Sequence, residues 1–413
     1  MITNQDLKSK VSEAVNPEEI LQLVKKLISI PSHTSLKERE TVIAGYLLNL
    51  FKSEGIDCYL QEVKDGRSNV IARLKGEGDG TSLMFNGHID TVPPFGMSNP
   101  FSPTVKSGKL YGRGSADMES GVGTMAYALI TLKRLGIKLN GDLVFAGVID
   151  EESSESAGTH YIVNHGPKTD VAIVGEPTKL HATAAHKGCD YFEITFKGWS
   201  NHSSVPQNGT SAVLAAVEFV KKIEEVLDPK YAELDHPLVG SPTINIGAIQ
   251  GSSIDNFPYL TGESSSFVGT VPGFCRLIMD VRWTPYQKID DVTNDVKEIA
   301  KAIEQEKDVN VEVNHILPHP AMEISSDHVL VQSVQKNIKE TIGEKRPLHG
   351  EPFWGDSGLL YAHANTPTLL FGPGDIGCAH SDNEYIDVSE LTPATIIYAL
   401  TALDICGVGK VGK

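Results

Sequence analysis

The triplet His88-Ile89-Asp90 closes an apolar run, SLMFNGHIDTVPP, at residues 82–94. Residues two apart on a strand face the same way, so imidazole and carboxylate would stand on one side of the backbone. A metal-bound histidine commonly gives its second ring N–H to a carboxylate or carbonyl, which fixes its tautomer and its aim. Alone, the triplet favours the plainer reading, a strand end whose polar residues meet solvent. Residues of the same type recur at comparable places. DLVFAGVI leads into Asp150, Glu151 and Glu152, DVAIVG leads to Glu176 in GEPT, and TPTLLFGPGD leads after a short loop to His380 in CAHSDNEY. Asp117 ends the turn YGRGSAD just before a helix. Two histidines and several carboxylates suit one or two divalent ions, zinc first. Two ions about 3.5–4 Å apart need a bridging carboxylate, and the lone Asp117 is suited to that. Glu151 and Glu152 are adjacent, so on extended backbone they point apart and divide roles, one as ligand and one as base. Spacing does not say which.

The elements that must position these residues alternate. Asn16-Pro17-Glu18-Glu19 reads as a helix start, with a capping Asn, Pro at the first helical position and acids near the positive dipole end. A second helix is predicted over 37–54. The apolar, β-rich runs SNVIARL, SLMFNGHI, DLVFAGVI and DVAIVG follow, with a helix over about 120–135 among them. This alternation predicts an α/β fold with a mostly parallel sheet and crossover helices. Open sheets of that kind bind ligands at the carboxyl ends of their strands, where the candidate residues collect.

From about residue 187 the rhythm changes. DYFEITFKG, SAVLAAVEFVKKIEEVL, TINIGAIQG, CRLIMDVRW, VTNDVKEIAKAIEQE and VNVEVNHI read in order as βαββαβ, a ferredoxin-like α+β module. From about 320 a helix (SDHVLVQSVQKNIKETIG), the strand TPTLLFG and a helix over 391–405 resume the earlier pattern. The division expected is therefore a metal-binding domain in two parts, residues 1–186 and 318–413, with residues 187–317 inserted. The Gly/Ser-rich stretch 250–269 reads as a solvated loop interrupting a hairpin of the insert.

A chain of 413 residues exceeds the size over which one core usually grows, which agrees with two domains. The net charge of −17 argues against nucleic acid or an anionic membrane as partner. No run is expected to reach the roughly 18 apolar residues of a membrane span, and the polar start MITNQDLKSKVSEAVNPEEI lacks a signal-peptide apolar region. Cysteines at 58, 189, 275, 378 and 406 are odd in number, with no CxxC, as suits a reducing compartment. The expected location is the cytoplasm, where the sequons at Asn201 and Asn208 carry no weight.

GHIDTVPP, YGRGSADMESG, DEES, GEPT, KGWSNHSSVP, MDVRWTP, WGDSGLL and FGPGDIGCAHSDNEY occur in this order over nearly the whole chain. In this the sequence resembles the two-zinc exo-hydrolase family of acetylornithine deacetylase, succinyl-diaminopimelate desuccinylase, aminoacylase and carboxypeptidase G. The resemblance implies a catalytic α/β domain with an inserted lid or dimerisation domain, and two Zn2+ ions per chain with Co2+ or Mn2+ as substitutes. By motif, His88 and Glu176 would hold one ion, Glu152 and His380 the other, and Asp117 would bridge. Asp90 would orient His88. Glu151 would be the general base and acid, taking a proton from water and delivering it to the leaving amine. His202 matches a lid histidine that reaches the partner's site in a homodimer and steadies the oxyanion; otherwise it is a loop histidine. Arg282 matches a lid arginine that grips a substrate carboxylate; otherwise it is a structural ion pair. Asp356 and Gly374 match substrate-pocket motifs. His160, His165, His181 and His186 read as surface or structural residues.

The chain departs from that pattern at Glu119-Ser120, where relatives often carry Lys-Gly beside the bridging Asp, and at Thr270, where many carry Asn. The function expected is a metal-dependent amidohydrolase that removes an acyl group from an N-acyl amino acid or related small amine. The alternatives are an exopeptidase or dipeptidase acting on short peptides and, more remotely, a non-catalytic binding protein on the same fold.

Overall fold

A computed structural model describes residues 4–153, 155–253 and 269–409. The chain divides into two compact units, one of Met1–Ala185, Met322–Gly350 and Gly355–Lys413, the other of His186–Ala321 and Glu351–Trp354.

The first unit is built on a nine-stranded sheet. It contains β1 (Asp57–Lys64), β2 (Arg67–Leu74), β3 (Leu83–His88), β6 (Leu143–Val148), β7 (Val171–Val174), β8 (Thr183–His186), β13 (Met322–Glu323), β14 (His349–Glu351) and β15 (Thr368–Leu370). The order is β1-β2-β6-β3-β7-β15-β8-β13, with β14 beside β8. Three short strands, β4 (Thr104–Lys106), β5 (Lys109–Tyr111) and β16 (Tyr385–Asp387), form a separate sheet in the order β16-β5-β4. Pairing is parallel across β6-β3-β7-β15 and antiparallel at β1-β2, β2-β6 and β15-β8. The sheet is thus mixed, and the predicted parallel arrangement describes its four central strands. Those strands are buried throughout, which is why they read as unbroken apolar runs. The edge strand β1 escaped the sequence reading although its turn carries a signal. Asp65 and Gly66 have φ of 53° and 75°, the left-handed pair that a tight hairpin demands and that Asp-Gly favours.

The register of the central strands decides where the chemistry sits. His88 lies opposite Val148 on β6, and Asn86 opposite Val174 on β7. The three strands therefore end within two residues of one another, and the loops carrying Asp90, Glu151, Glu152 and Glu176 leave the same edge.

Helices cover this sheet: α1 (Asn4–Ala14), α2 (Pro17–Ile28), α3 (Thr41–Ser53), α4 (Glu119–Arg134), α5 (Ala157–His165), α9 (Val329–Ile342), α10 (Asp356–Ala364) and α11 (Leu391–Cys406). The Asn16 side chain accepts from the N–H groups of Glu18 and Glu19 at 3.0 and 3.3 Å, and α2 buries Ile20, Leu23, Val24, Leu27 and Ile28 at helical spacing. The preceding helix α1, unforeseen in the polar start, docks through a buried lysine. Lys8 donates to Asn337 at 3.0 Å and to Asp404 at 3.1 Å. Val388–Cys406 is long and apolar enough to cross a membrane by length and composition, contrary to the expectation that no run comes near that mark. It is mostly buried, packed through α11 against α4 and α9, and serves as a core helix.

The second unit carries a four-stranded antiparallel sheet in the order β10-β11-β9-β12: β9 (Gly188–Lys197), β10 (Thr243–Ser252), β11 (Phe274–Trp283) and β12 (Asn310–His315). With α6 (Ala212–Lys222), the short α7 (Asp228–Ala232) and α8 (Ile289–Lys307) it follows the βαββαβ order read from the sequence. Burial alternates strictly along β11, and Phe192, Phe196, Phe219, Leu277, Met279 and Trp283 lie in the core between sheet and helices. The predicted loop at 250–269 begins within β10, and its residues 254–268 lie outside the described ones.

His186, at the end of β8, is fully buried, and its Nδ1 donates to the Lys187 carbonyl at 2.8 Å. Burial lowers its pKa from 6.5 to about 4. Between those values the unfolded chain binds the proton and the folded chain does not. The stabilising contribution of the neutral ring is therefore full above about pH 6.5 and is lost as pH falls through 4. We expect urea-unfolding curves of the wild type and His186→Asn, taken from pH 7 to 4, to diverge by about 3 kcal/mol at the acid end. Parallel curves would mean that the ring does not titrate in this way.

Candidate metal centre

His88 ends β3 with its side chain almost wholly buried. Its Nδ1 lies 2.9 Å from the backbone carbonyl of Asp90, to which it donates. Nε2 is then the atom left to bind an ion, and it faces Asp117 Oδ1 at 3.0 Å and Glu176 Oε1 at 3.8 Å. From the other side His380 Nε2 approaches Asp117 Oδ2 at 3.4 Å and the two Glu152 oxygens at 3.1 and 3.2 Å. Each oxygen of Asp117 thus faces one imidazole. Ligand atoms of His88, Asp117 and Glu152 lie within 4.8 Å of one another. The His380 side chain is 50% exposed and that of His88 1%, so the group opens to solvent on the His380 side.

Asp90 is placed differently from expectation. Its carboxylate Oδ1 is 3.7 Å from His88 Nδ1, and the nearer acceptor is the residue's own carbonyl. β3 stops at His88, so strand alternation no longer governs where the Asp90 side chain points. The carboxylate instead accepts the backbone N–H groups of Glu151 at 3.2 Å and Glu152 at 2.9 Å. The same loop is pinned from behind by charges that the sequence reading passed over. Asp150, at φ 70°, is held by Arg39 at 2.8 Å and Arg67 at 3.0 Å. Arg67 also meets both oxygens of Glu40 at 3.2 Å, and Glu40 accepts the Asp150 N–H at 3.2 Å. The one sequence signal for this network was a charged residue, Arg67, opening a strand of buried residues.

Glu384 was missed as well, although it stands within the motif that gave His380. It is buried and accepts from the backbone of Ala116 and Asp117. Of the other expected residues, Asp356 opens α10 and is buried, with Oδ2 accepting from Thr159 at 2.7 Å. Gly374 has φ 102° and donates its N–H to Glu390 at 2.7 Å, a turn role carried by backbone. Arg282, in the second unit, is gripped by Asp280 at 2.8 and 3.1 Å and reaches the Tyr191 hydroxyl at 3.3 Å. An ion pair with Asp280 is thus present. His202, also in the second unit, is exposed, with Nδ1 2.7 Å from Ser204 Oγ.

A profile of peptidase family M20/M25/M40 matches residues 84–404. The chain belongs to this family. It is a metal-dependent hydrolase, as its motifs implied. Among curated relatives it is 30% identical to acetylornithine deacetylase of Proteus mirabilis over 388 residues, covering 90% of this chain and 93% of that one. It is 29% identical to acetylornithine deacetylase of Klebsiella pneumoniae, covering 92% and 95%. Solved structures share the fold. An aminopeptidase of Bacillus cereus superposes with a TM-score of 0.73 at 20% identity, over 95% of this chain and 99% of that one. A dinuclear metal-binding peptidase of Bacillus subtilis gives 0.70 at 16%, over 94% and 98%.

The electrostatics of this M20 chain fit divalent ions. Glu151 and Glu176 are pushed well above their ordinary value and Glu152 above its own, first by burial and then by neighbouring acids. Asp117 runs the other way: burial would raise it, but hydrogen bonds from His380 and His88 outweigh that and hold it low. His380 rises to about 10 through its bonds to Asp117 and Glu152. A pocket that makes an imidazole this basic demands positive charge. Divalent ions meet the same demand through neutral imidazoles and ionised carboxylates. His88, Asp117, Glu152, Glu176 and His380 offer the nitrogen and oxygen donors that zinc takes.

Arg67 is central to the loop's support. Its side chain is 8% exposed and those of Glu40 and Asp150 are fully buried. Burial, and after it the Asp90 charge, push Glu40 up to about 7 even with Arg67 beside it. Arg67→Met would leave buried Glu40 without its cation and Asp150 with Arg39 alone, which costs roughly 3–5 kcal/mol. Urea denaturation of the variant should show a loss of that size; a change under 1 kcal/mol would contradict the charge network described.

Proposed function

We propose that the protein is a two-zinc deacylase that cleaves the amide of a small N-acylated amino acid, with acetylated α-amino acids the first class to try. Two features support this reading: the similarity to acetylornithine deacetylases over nine-tenths of the chain, and the position of Asp117 with one oxygen toward each imidazole. The second carries it, because a carboxylate so placed is suited to be shared by two ions. His88 and Glu176 would hold one ion and Glu152 and His380 the other. The chemistry that such ions supply when bound is Lewis acidity toward the amide carbonyl and the attacking water.

The rest falls to the chain. Glu151 stands beside these ligands on a loop whose N–H groups are fixed by Asp90. Burial and neighbouring acids raise its proton affinity, which suits a group that takes a proton from water and returns it to the leaving nitrogen. Asp90 therefore acts by holding the base in place, and the Asp356 charge helps to raise its proton affinity. His202 is proposed to donate to the oxyanion from the partner chain of a homodimer. The five free thiols suit the cytoplasm.

Base and ligand separate by substitution. Glu151→Gln should lower turnover by about 10²–10⁴-fold with zinc content unchanged, and Glu152→Gln should lower zinc affinity. The reverse pattern would exchange their roles. Zinc-loaded enzyme should release amino acid from N-acetyl amino acids in a mixed panel read by mass spectrometry. Release from dipeptides alone would move the protein to the exopeptidases.

A further inference from the structure

We propose that Glu384 is a positioning residue that ties the two ion sites into one unit, so that the second ion binds well only where its carboxylate holds the Asp117 turn. The inference rests on the two-ion reading above. Glu384 stands four residues after His380, where the chain enters β16 and pairs with β5 through Tyr385 and Tyr111. Its side chain is 1% exposed. Oε1 accepts from the N–H of Ala116 at 2.9 Å and of Asp117 at 3.1 Å. Oε2 accepts from the N–H of Gly114 at 3.2 Å and from Arg113 Nη1 at 2.5 Å. Four donors thus fill the four acceptor sites of one carboxylate.

The turn has need of such an acceptor. The N–H groups of Gly114, Ala116 and Asp117 lie just ahead of α4 and its cap residue Met118, and buried backbone donors of this kind need an acceptor. The turn is also tight. Gly114 has φ +84°, and a Cβ there would meet Thr91 Cγ2 at 2.8 Å and the Glu119 carboxyl carbon at 2.9 Å. Glu384 therefore makes a rigid piece of the shared ligand Asp117 and of His380, a ligand to one ion, before any ion arrives. With that link weakened, each half of the site could hold an ion in its own geometry, but the two halves would no longer be held at the separation a shared carboxylate requires.

The test compares wild type, Glu384→Gln and the control Asp382→Asn, whose carboxylate in the same loop accepts from Gly96 and not from the turn. Gln keeps an acceptor for two of the N–H groups but sets its own NH2 against the remaining donors. Calorimetric titration with zinc should show two ions in wild type and control. In Glu384→Gln the second should weaken by about 10–100-fold, the range for partners that orient ligands. Protein loaded with manganese gives a second readout independent of activity. Its electron paramagnetic resonance should be that of a coupled pair in wild type and control, and of isolated ions in Glu384→Gln. Two ions of wild-type affinity with a coupled spectrum in Glu384→Gln would overturn the proposal, as would equal weakening by Asp382→Asn. A wild type that saturates at one ion defeats the two-ion reading and the coupling with it, and shows this without any variant. If Glu384→Gln does not fold, amide exchange in the ion-free wild type decides: the amides of Gly114, Ala116 and Asp117 should be protected, and exchange at unstructured rates would refute a turn held in advance.

Discussion

Asp117 has one oxygen 3.0 Å from the His88 ring and the other 3.4 Å from the His380 ring, inside a pocket that also buries Glu151 and Glu176. So much negative charge in so little space is unfavourable unless cations offset it. The protein does not spread the acids apart. It holds them together with backbone N–H groups and arginines: Asp90 on the loop of Glu151 and Glu152, Arg67 and Arg39 on Asp150, and Glu384 with Arg113 on the turn of Asp117. These bonds fix the carboxylates of the candidate site without neutralising them, an arrangement suited to divalent ions.

The sheet makes this possible by register. Parallel pairing of β6, β3 and β7 brings three strand ends to one level, so residues some 60 to 90 positions apart become neighbours. Close backbone approaches keep them there. A Cβ on Gly121 of α4 would lie 2.1 Å from the Gly175 carbonyl, the residue before Glu176. The helix that follows Asp117 thus packs directly on the strand end that presents Glu176, and no side chain could stand between them.

Much of this was legible in the sequence. Four of the proposed ligand residues announced themselves because they follow runs of buried, apolar strand, Asp117 because it ends a turn ahead of a helix, and the βαββαβ insert because its periodicity changes from that of the surrounding chain. What escaped is instructive. The facing of the Asp90 carboxylate was read from strand alternation, and the strand ends two residues too early for that rule to apply. Glu40, Arg67 and Glu384 work through backbone groups and charges distant in sequence, and no local spacing marks them. The lysine that docks α1 reads as an ordinary surface residue until its partners, Asn337 and Asp404, are seen more than 300 positions away. The apolar composition of α11 reflects its place against α4 and α9, a fact of packing and not of pattern.

On the two-ion reading, the acids of the first unit gather around a pair of ions sharing Asp117. Anomalous diffraction from crystals of the zinc-loaded protein, collected on both sides of the zinc absorption edge, tests it most directly. Two peaks are expected about 3.5–4 Å apart, one on each side of Asp117, the first beside His88 and Glu176 and the second beside Glu152 and His380. A single peak at full loading, or two peaks with Asp117 bound to only one of them, would contradict it.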